Sequence, residues 1–337
     1  MAHTSPGSEV TMGAALNRAL HDALAADPNV LVYGEDVGPL GGVFRVTDGL
    51  TATFGEERCF DSPLAESGIV GTAIGMAVYG LRPVVEMQFD AFAYPAFEQV
   101  TSHLAKMRNR TRGAVTLPVV IRVPYGGGIG GVEHHSDSSE AYYTHTPGLR
   151  VVTPGTPADA YSMLREAIDC DDPVLFLEPK RRYRAKEAFE PPVRTEPMER
   201  SVVRRSGSDA TLIAYGPMVA TALEAAETAA GEGRDLEVVD LRQLTPFDDA
   251  TVTASVRRTG RAVVVHEASV FGGYGAEVAA RVTEQCFHHL EAPVLRVGGW
   301  DVPYPPPKLE EHHLPGVDRI PAAVDRLEWD SEWVEGR

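Results

Sequence analysis

Apolar positions along the chain recur at two spacings, one helical and one strand-like, and the two alternate. Leu16, Leu20 and Leu24 fall at helical spacing after Thr11, a residue type suited to an N-cap, and Asp27-Pro28-Asn29 stops the helix they predict. Residues 30–33 then predict a buried strand, as do 83–87, 117–122, 150–152 and 174–177. Helical stretches at 69–79, 97–108 and 158–170 separate these runs. Short apolar runs rich in valine, isoleucine and leucine, bridged by helices, imply a parallel sheet covered on both faces.

The pattern lapses after residue 185 into Glu190-Pro191-Pro192 and mixed charges, then resumes with strands at 211–215, 236–240, 262–266 and 293–297. Helices at 219–230, 250–258, 276–289 and 320–327 lie between and after them. The expectation is two doubly wound α/β domains: a disordered N-terminal segment at 1–10, a first domain at 11–184, a linker at 185–205 and a second domain at 206–330.

Composition narrows the function. With 43% hydrophobic and 23% charged residues in 337, the chain reads as ordinary globular protein. No apolar run approaches the ~20 residues of a membrane span, and the first ten residues lack the basic and apolar regions of a secretory signal. Cys59, Cys170 and Cys286 are far apart and form no CxxC pair, which fits reduced thiols and a cytoplasmic location. A net charge of −17 argues against nucleic acid and suits a basic protein partner. The one basic cluster, Lys180-Arg181-Arg182-Tyr183-Arg184-Ala185-Lys186, reads as a solvated linker face.

Three stretches could carry chemistry. Glu66 opens an otherwise small and apolar helix, where a carboxylate either complements the helix dipole or serves a site. Gly68, Gly71 and Gly75 share one face of that helix, each costing ~1 kcal/mol against alanine, so the face is built for close approach of another backbone. His134-His135-Ser136 follows the glycine-rich loop 126–131 without the HExxH spacing or carboxylate of a metal site. Gly272-Gly273-Tyr274-Gly275 completes no phosphate-binding motif, while His288-His289 and His312-His313 read as surface or interface pairs.

Longer motifs carry a resemblance. Gly34-Glu35-Asp36-Val37-Gly38, Gly42-Val43-Phe44-Arg45, Pro63 through Gly71, Glu86-Met87-Gln88-Phe89 and His134-His135-Ser136 resemble the pyrimidine-binding domain of beta subunits of thiamine-diphosphate-dependent 2-oxo acid dehydrogenases. Asp240-Leu241-Arg242, Thr245-Pro246-Phe247-Asp248, Val265-His266-Glu267 and Asp301-Val302-Pro303-Tyr304-Pro305 continue the likeness into a transketolase C-terminal-like domain.

The resemblance implies roles. Glu66 would hydrogen-bond a ring nitrogen of the cofactor's aminopyrimidine and favour the imino tautomer that activates the thiazolium carbon. Leu64, Gln88 and Phe92 would line the pyrimidine pocket, with Phe92 stacking on the ring. His135 would transfer protons as the acyl group passes to a lipoyl arm. Backbone carbonyls of Val119, Ala167, Ile168, Cys170 and Asp172 fall where some relatives hold potassium, although relatives often have Asp at 170 and Asn at 172.

The chain has no Gly-Asp-Gly turn of the kind that holds the diphosphate through Mg²⁺ in related enzymes. It is therefore expected to bind half of the cofactor and to need an alpha subunit, as two alpha plus two beta chains, together with a lipoyl acyltransferase core that the second domain would dock. The wording of the motifs is closest to the branched-chain (2-oxoisovalerate) type. Pyruvate and acetoin dehydrogenase beta subunits are the alternatives, and a non-catalytic scaffold is a further one.

Overall fold

A computed structural model describes residues 9–327, so most of the expected N-terminal segment and the end of the second domain's range lie outside the described residues. The described chain divides into two compact units, one comprising residues up to Ile129, His134–Met198 and Gln243–Pro246, the other comprising Gly130–Glu133, Glu199–Arg242 and Phe247 onward.

In chain order the first unit contains β1 (Glu9–Thr11), α1 (Met12–Ala26), β2 (Val30–Gly34), α2 (Leu50–Phe54), β3 (Cys59–Asp61), α3 (Glu66–Val78), β4 (Arg82–Glu86), α4 (Met107–Arg110), β5 (Val120–Tyr125), α5 (Glu140–Thr144), β6 (Arg150–Val152), α6 (Pro157–Asp169), β7 (Val174–Pro179) and β8 (Lys186–Ala188). The second contributes β9 (Val202–Arg205), β10 (Ala210–Ala214), α7 (Met218–Gly231), β11 (Leu236–Asp240), α8 (Asp249–Thr259), β13 (Ala262–Ser269), α9 (Gly275–Cys286), β14 (Leu295–Gly299), α10 (Glu310–His313) and α11 (Arg319–Asp325), while β12 (Gln243–Thr245) belongs to the first unit.

The first sheet runs β12-β6-β7-β5-β4-β2-β3 and is parallel except for the edge strand β12. Its strands are buried end to end at β2, β5 and β7, as runs covered on both faces must be. Helix α1 starts where Thr11 accepts a hydrogen bond from the Ala14 amide (3.2 Å). It lays Leu16, Leu20 and Leu24 against α6 in one apolar core. Helix α3 packs against β4 and buries Ile69, Val70 and Ala73.

The second sheet runs β14-β13-β10-β11-β9, parallel but for the edge strand β9. Helices α7 and α11 share its core, and α8 and α9 pack on each other. Gly273 and Gly275 sit tightly here: a side chain at Gly275 would meet the His266 ring at 2.5 Å and one at Gly273 the Ser269 carbonyl at 2.3 Å.

Several elements differ from their sequence pattern. Residues 97–108 form no single helix: a 3-10 stretch at Ala91–Ala96, containing Pro95, leads into a π-helical stretch at Gln99–Leu104 and then α4. The stretch read as linker contains β8, which pairs with β1, and β9. Both are short edge strands, whose mixed charges conceal a ladder that backbone hydrogen bonds make. His313 is buried, not on the surface, and a side chain at Gly299 would strike its ring at 2.8 Å.

Candidate active site

Glu66, Leu64, Gln88, Phe92 and His135 all lie beyond the carboxyl ends of parallel strands in the first unit, where open α/β sheets bind ligands. Leu64 and Glu66 follow β3, Gln88 and Phe92 follow β4, and His135 follows β5.

Glu66 is the first residue of α3 and is 8% exposed. The helix lacks a side-chain cap, so the Glu66 carboxylate lies at a terminus rich in free N–H groups. The next residue ties the helix to the wall of the site: Ser67 Oγ donates to the Pro95 carbonyl at 3.1 Å, in the 3-10 stretch that also carries Phe92. Glu35, beyond β2, is as buried as Glu66, and its Oε1 has no hydrogen-bond partner. Burial first, then the Glu66 and Asp36 carboxylates, push the Glu35 carboxyl above its ordinary range. Sequence reasoning passed over Glu35 as part of a motif; its signal is the acidic pair Glu35-Asp36 directly after a fully buried strand.

Beneath the site lies a buried ionic network. Arg122 donates to Glu178 through Nε (2.7 Å) and Nη2 (3.0 Å) and to Glu86 through Nη1 (2.5 Å), and the Tyr183 hydroxyl donates to Glu178 at 2.6 Å. Gln88, just after β4, donates from Nε2 to Asp36 at 3.0 Å.

An aromatic wall joins Phe92 to His135. Their ring centroids are 5.4 Å apart and edge-on, and Phe89 packs edge-on to both, at 5.7 Å from Phe92 and 4.8 Å from His135. The His134 ring lies 4.5 Å from that of His135. Desolvation, then the His134 and Lys180 charges, hold the His135 imidazole below the usual histidine range. The basic cluster at 180–186 is not a solvated face throughout: Lys180 is 3% exposed and Tyr183 is buried, because both side chains have buried carboxylates to meet.

Leu64 is 80% exposed on this chain. Along α3, Gly68, Thr72, Gly75, Val78 and Tyr79 are exposed as well, and a side chain at Gly75 would meet nothing within 4 Å. A helix that is apolar nearly all round yet bare on one side fits covering by another chain.

The carbonyls expected for potassium lie at the opposite end of the strands. Arg82 Nη1 donates to the Ile168 and Cys170 carbonyls at 3.0 and 3.2 Å, the Val174 amide to Val119 at 2.9 Å and the Cys170 amide to Ala167 at 3.3 Å. The Arg82 guanidinium thus shares two of the five carbonyls, those of Ile168 and Cys170. Among the described residues, no group of three or more His, Cys, Asp or Glu side chains is placed to hold a metal ion. No helix among them is long and apolar enough to cross a membrane.

Comparison with known proteins assigns the class. The transketolase pyrimidine-binding domain matches residues 8–186 and the transketolase C-terminal domain matches residues 199–320. A split-gene transketolase, an inactive beta4 tetramer, superposes with a TM-score of 0.77 at 28% identity, covering 94% of this chain and 98% of that one. The chain belongs to the transketolase family of thiamine-diphosphate enzymes, of which it carries these two domains.

Within that family it is a beta subunit of a 2-oxo acid dehydrogenase. It is 57% identical over 319 residues to the 3-methyl-2-oxobutanoate dehydrogenase subunit beta of Mycobacterium tuberculosis, covering 94% of this chain and 92% of the relative. It is 59% identical over 312 residues to the pyruvate dehydrogenase E1 component subunit beta of Leifsonia xyli, covering 93% of each. The 2-oxoisovalerate dehydrogenase subunit beta of Pseudomonas aeruginosa is 44% identical over 337 residues, with 95% of each chain covered.

Proposed function

We propose that this beta subunit works with a separate alpha polypeptide to decarboxylate branched-chain 2-oxo acids oxidatively, passing the acyl group to lipoyl-lysine on an acyltransferase core. The observation that carries the reading is a buried carboxylate, Glu66, at a helix start tied to the wall formed by Phe92 and His135. These groups fit the pyrimidine half of thiamine diphosphate. Glu66 offers an acceptor to a ring N–H, Phe92 a flat aromatic surface, Leu64 an exposed apolar contact and Gln88 an amide. The bound cofactor supplies an electron sink for the carbon–carbon bond that breaks when carbon dioxide leaves. Glu66 sets the protonation of the pyrimidine by holding its ring N–H. His135 holds or gives up a proton at an imidazole nitrogen as acyl transfer proceeds. The diphosphate and its Mg²⁺ fall to the alpha chain, because this sequence has no Gly-Asp-Gly turn.

The branched-chain assignment draws on the relatives from M. tuberculosis and P. aeruginosa, and the L. xyli relative favours pyruvate as the second reading. A decarboxylation panel on the coexpressed pair separates them. Glu66→Gln in that pair should keep assembly and lose nearly all decarboxylation with every acid; near-normal turnover would refute the proposed role of Glu66.

A further inference from the structure

Lys180 follows β7 at the carboxyl edge of the first sheet, and its side chain is fully buried, as is that of Asp90 beyond β4. Lys180 Nζ lies 3.8 Å from Asp90 Oδ1 and 5.2 Å from the centroid of the Phe89 ring. Phe89 also packs edge-on against Phe44 at 5.6 Å and against the site rings, His135 at 4.8 Å and Phe92 at 5.7 Å. A lysine is rarely fully buried without a partner, and this one meets an acid on one side and an aromatic ring on the other. We propose that Lys180, held beside Asp90, is a positioning residue for His135 that acts through the Phe89 ring, against which both side chains lie. The proposal rests on the reading that His135 moves protons in the reaction.

Two consequences follow. A buried ammonium within cation–π range fixes where the Phe89 ring stands, and so fixes the edge against which the imidazole packs. The same charge disfavours a second cation on His135, keeping it as an uncharged imidazole able to accept a proton. The charged and titratable groups around this arrangement are His134 on the same turn as His135, and Lys180 from the segment after β7. Asp137, Glu140 and Tyr143 lie around the Lys180–Asp90 pair, with Tyr94 bonded to Asp137 at 3.0 Å. Phe89 and Phe92, the remaining neighbours of His135, do not titrate.

Diethyl pyrocarbonate modifies the uncharged imidazole, so its rate at His135 reports protonation without substrate, cofactor or turnover. The purified full chain is labelled between about pH 5 and 8, and peptide fragmentation separates His135 from His134. In the wild type the labelling midpoint should lie below the ordinary histidine value of ~6.5. Lys180→Met with Asp90→Asn removes the ammonium together with its acid neighbour, whose carboxyl burial pushes well above the usual carboxylate range even beside Lys180. In that double variant the midpoint should rise, slowing labelling of His135 several-fold below the midpoint. Lys180→Arg, which keeps the charge, should retain the wild-type midpoint. An unchanged midpoint in the double variant, or a Lys180→Arg midpoint matching the double variant, overturns the proposal. Because labelling needs no activity, failure of the Glu66 test leaves this result interpretable, and the reverse holds as well.

Discussion

Replacing Arg122 by methionine should destabilise the first unit severely. Its guanidinium makes three hydrogen bonds to two carboxylates, and the side chains of Arg122, Glu86 and Glu178 are 1%, 3% and 0% exposed. Methionine fills much of the volume, so the loss is electrostatic: two buried carboxylates face each other without a cation. Breaking a buried pair by removing one partner costs about 3–5 kcal/mol. That is a large share of a total stability of roughly 5–15 kcal/mol.

The sign with pH follows from burial, which pushes the Glu86 carboxyl up even with Arg122 beside it. Without Arg122 the folded-state value rises further above the unfolded one. The folded variant then binds protons that the unfolded chain has released, so its stability falls as pH rises through and above the ordinary carboxylate range. Urea unfolding followed by far-ultraviolet circular dichroism, at about pH 5.5 and 8, measures both effects. The expected deficit against wild type is larger at pH 8. A companion with Glu86→Gln, Arg122→Met and Glu178→Gln together should recover most of the loss. A deficit under about 1 kcal/mol for Arg122→Met, or one that shrinks at pH 8, would refute the view of this network as a coupled ionic unit.

Gly75→Leu should raise the helical stability of the chain alone by up to ~1 kcal/mol, since its side chain meets nothing within 4 Å, while weakening assembly with an alpha subunit. Thermal unfolding of the single chain and size-exclusion of the mixed subunits check the two halves. His135→Ala should slow acyl transfer to a lipoyl acceptor more than it slows decarboxylation; single-turnover measurements of each half-reaction that show equal losses would count against the division of labour.

Much of the architecture was legible in the chain. Strand Leu236–Asp240 matches its expected span residue for residue, and Thr11 caps α1 as its type suggests. What sequence could not disclose depends on partners brought from afar. Arg122 looks like an interruption of an apolar strand until Glu86 and Glu178 arrive from two other strands, 36 and 56 residues away. Lys180 reads as solvated until Asp90 is folded beside it. The helical spacing of 97–108 hides a change of helix type, because a π-helical stretch keeps the composition of an α-helix while shifting its bonding. Glu66 could not be told from a helix-dipole residue by local pattern alone. Its burial and the tie from Ser67 to the turn carrying Phe92 are facts of the folded chain.

The central claim is that this chain holds half of a thiamine-diphosphate site, and isothermal calorimetry on the purified chain, alone and with its alpha partner, tests it most directly. The diphosphate and Mg²⁺ need charged and oxygen ligands, and the sequence has no Gly-Asp-Gly turn to supply them, so the chain alone should take up the cofactor poorly whether or not Mg²⁺ is present. Adding the alpha subunit should produce tight, Mg²⁺-dependent binding together with decarboxylation. Tight binding by the lone chain would contradict the account, because it would place a complete diphosphate site within these residues.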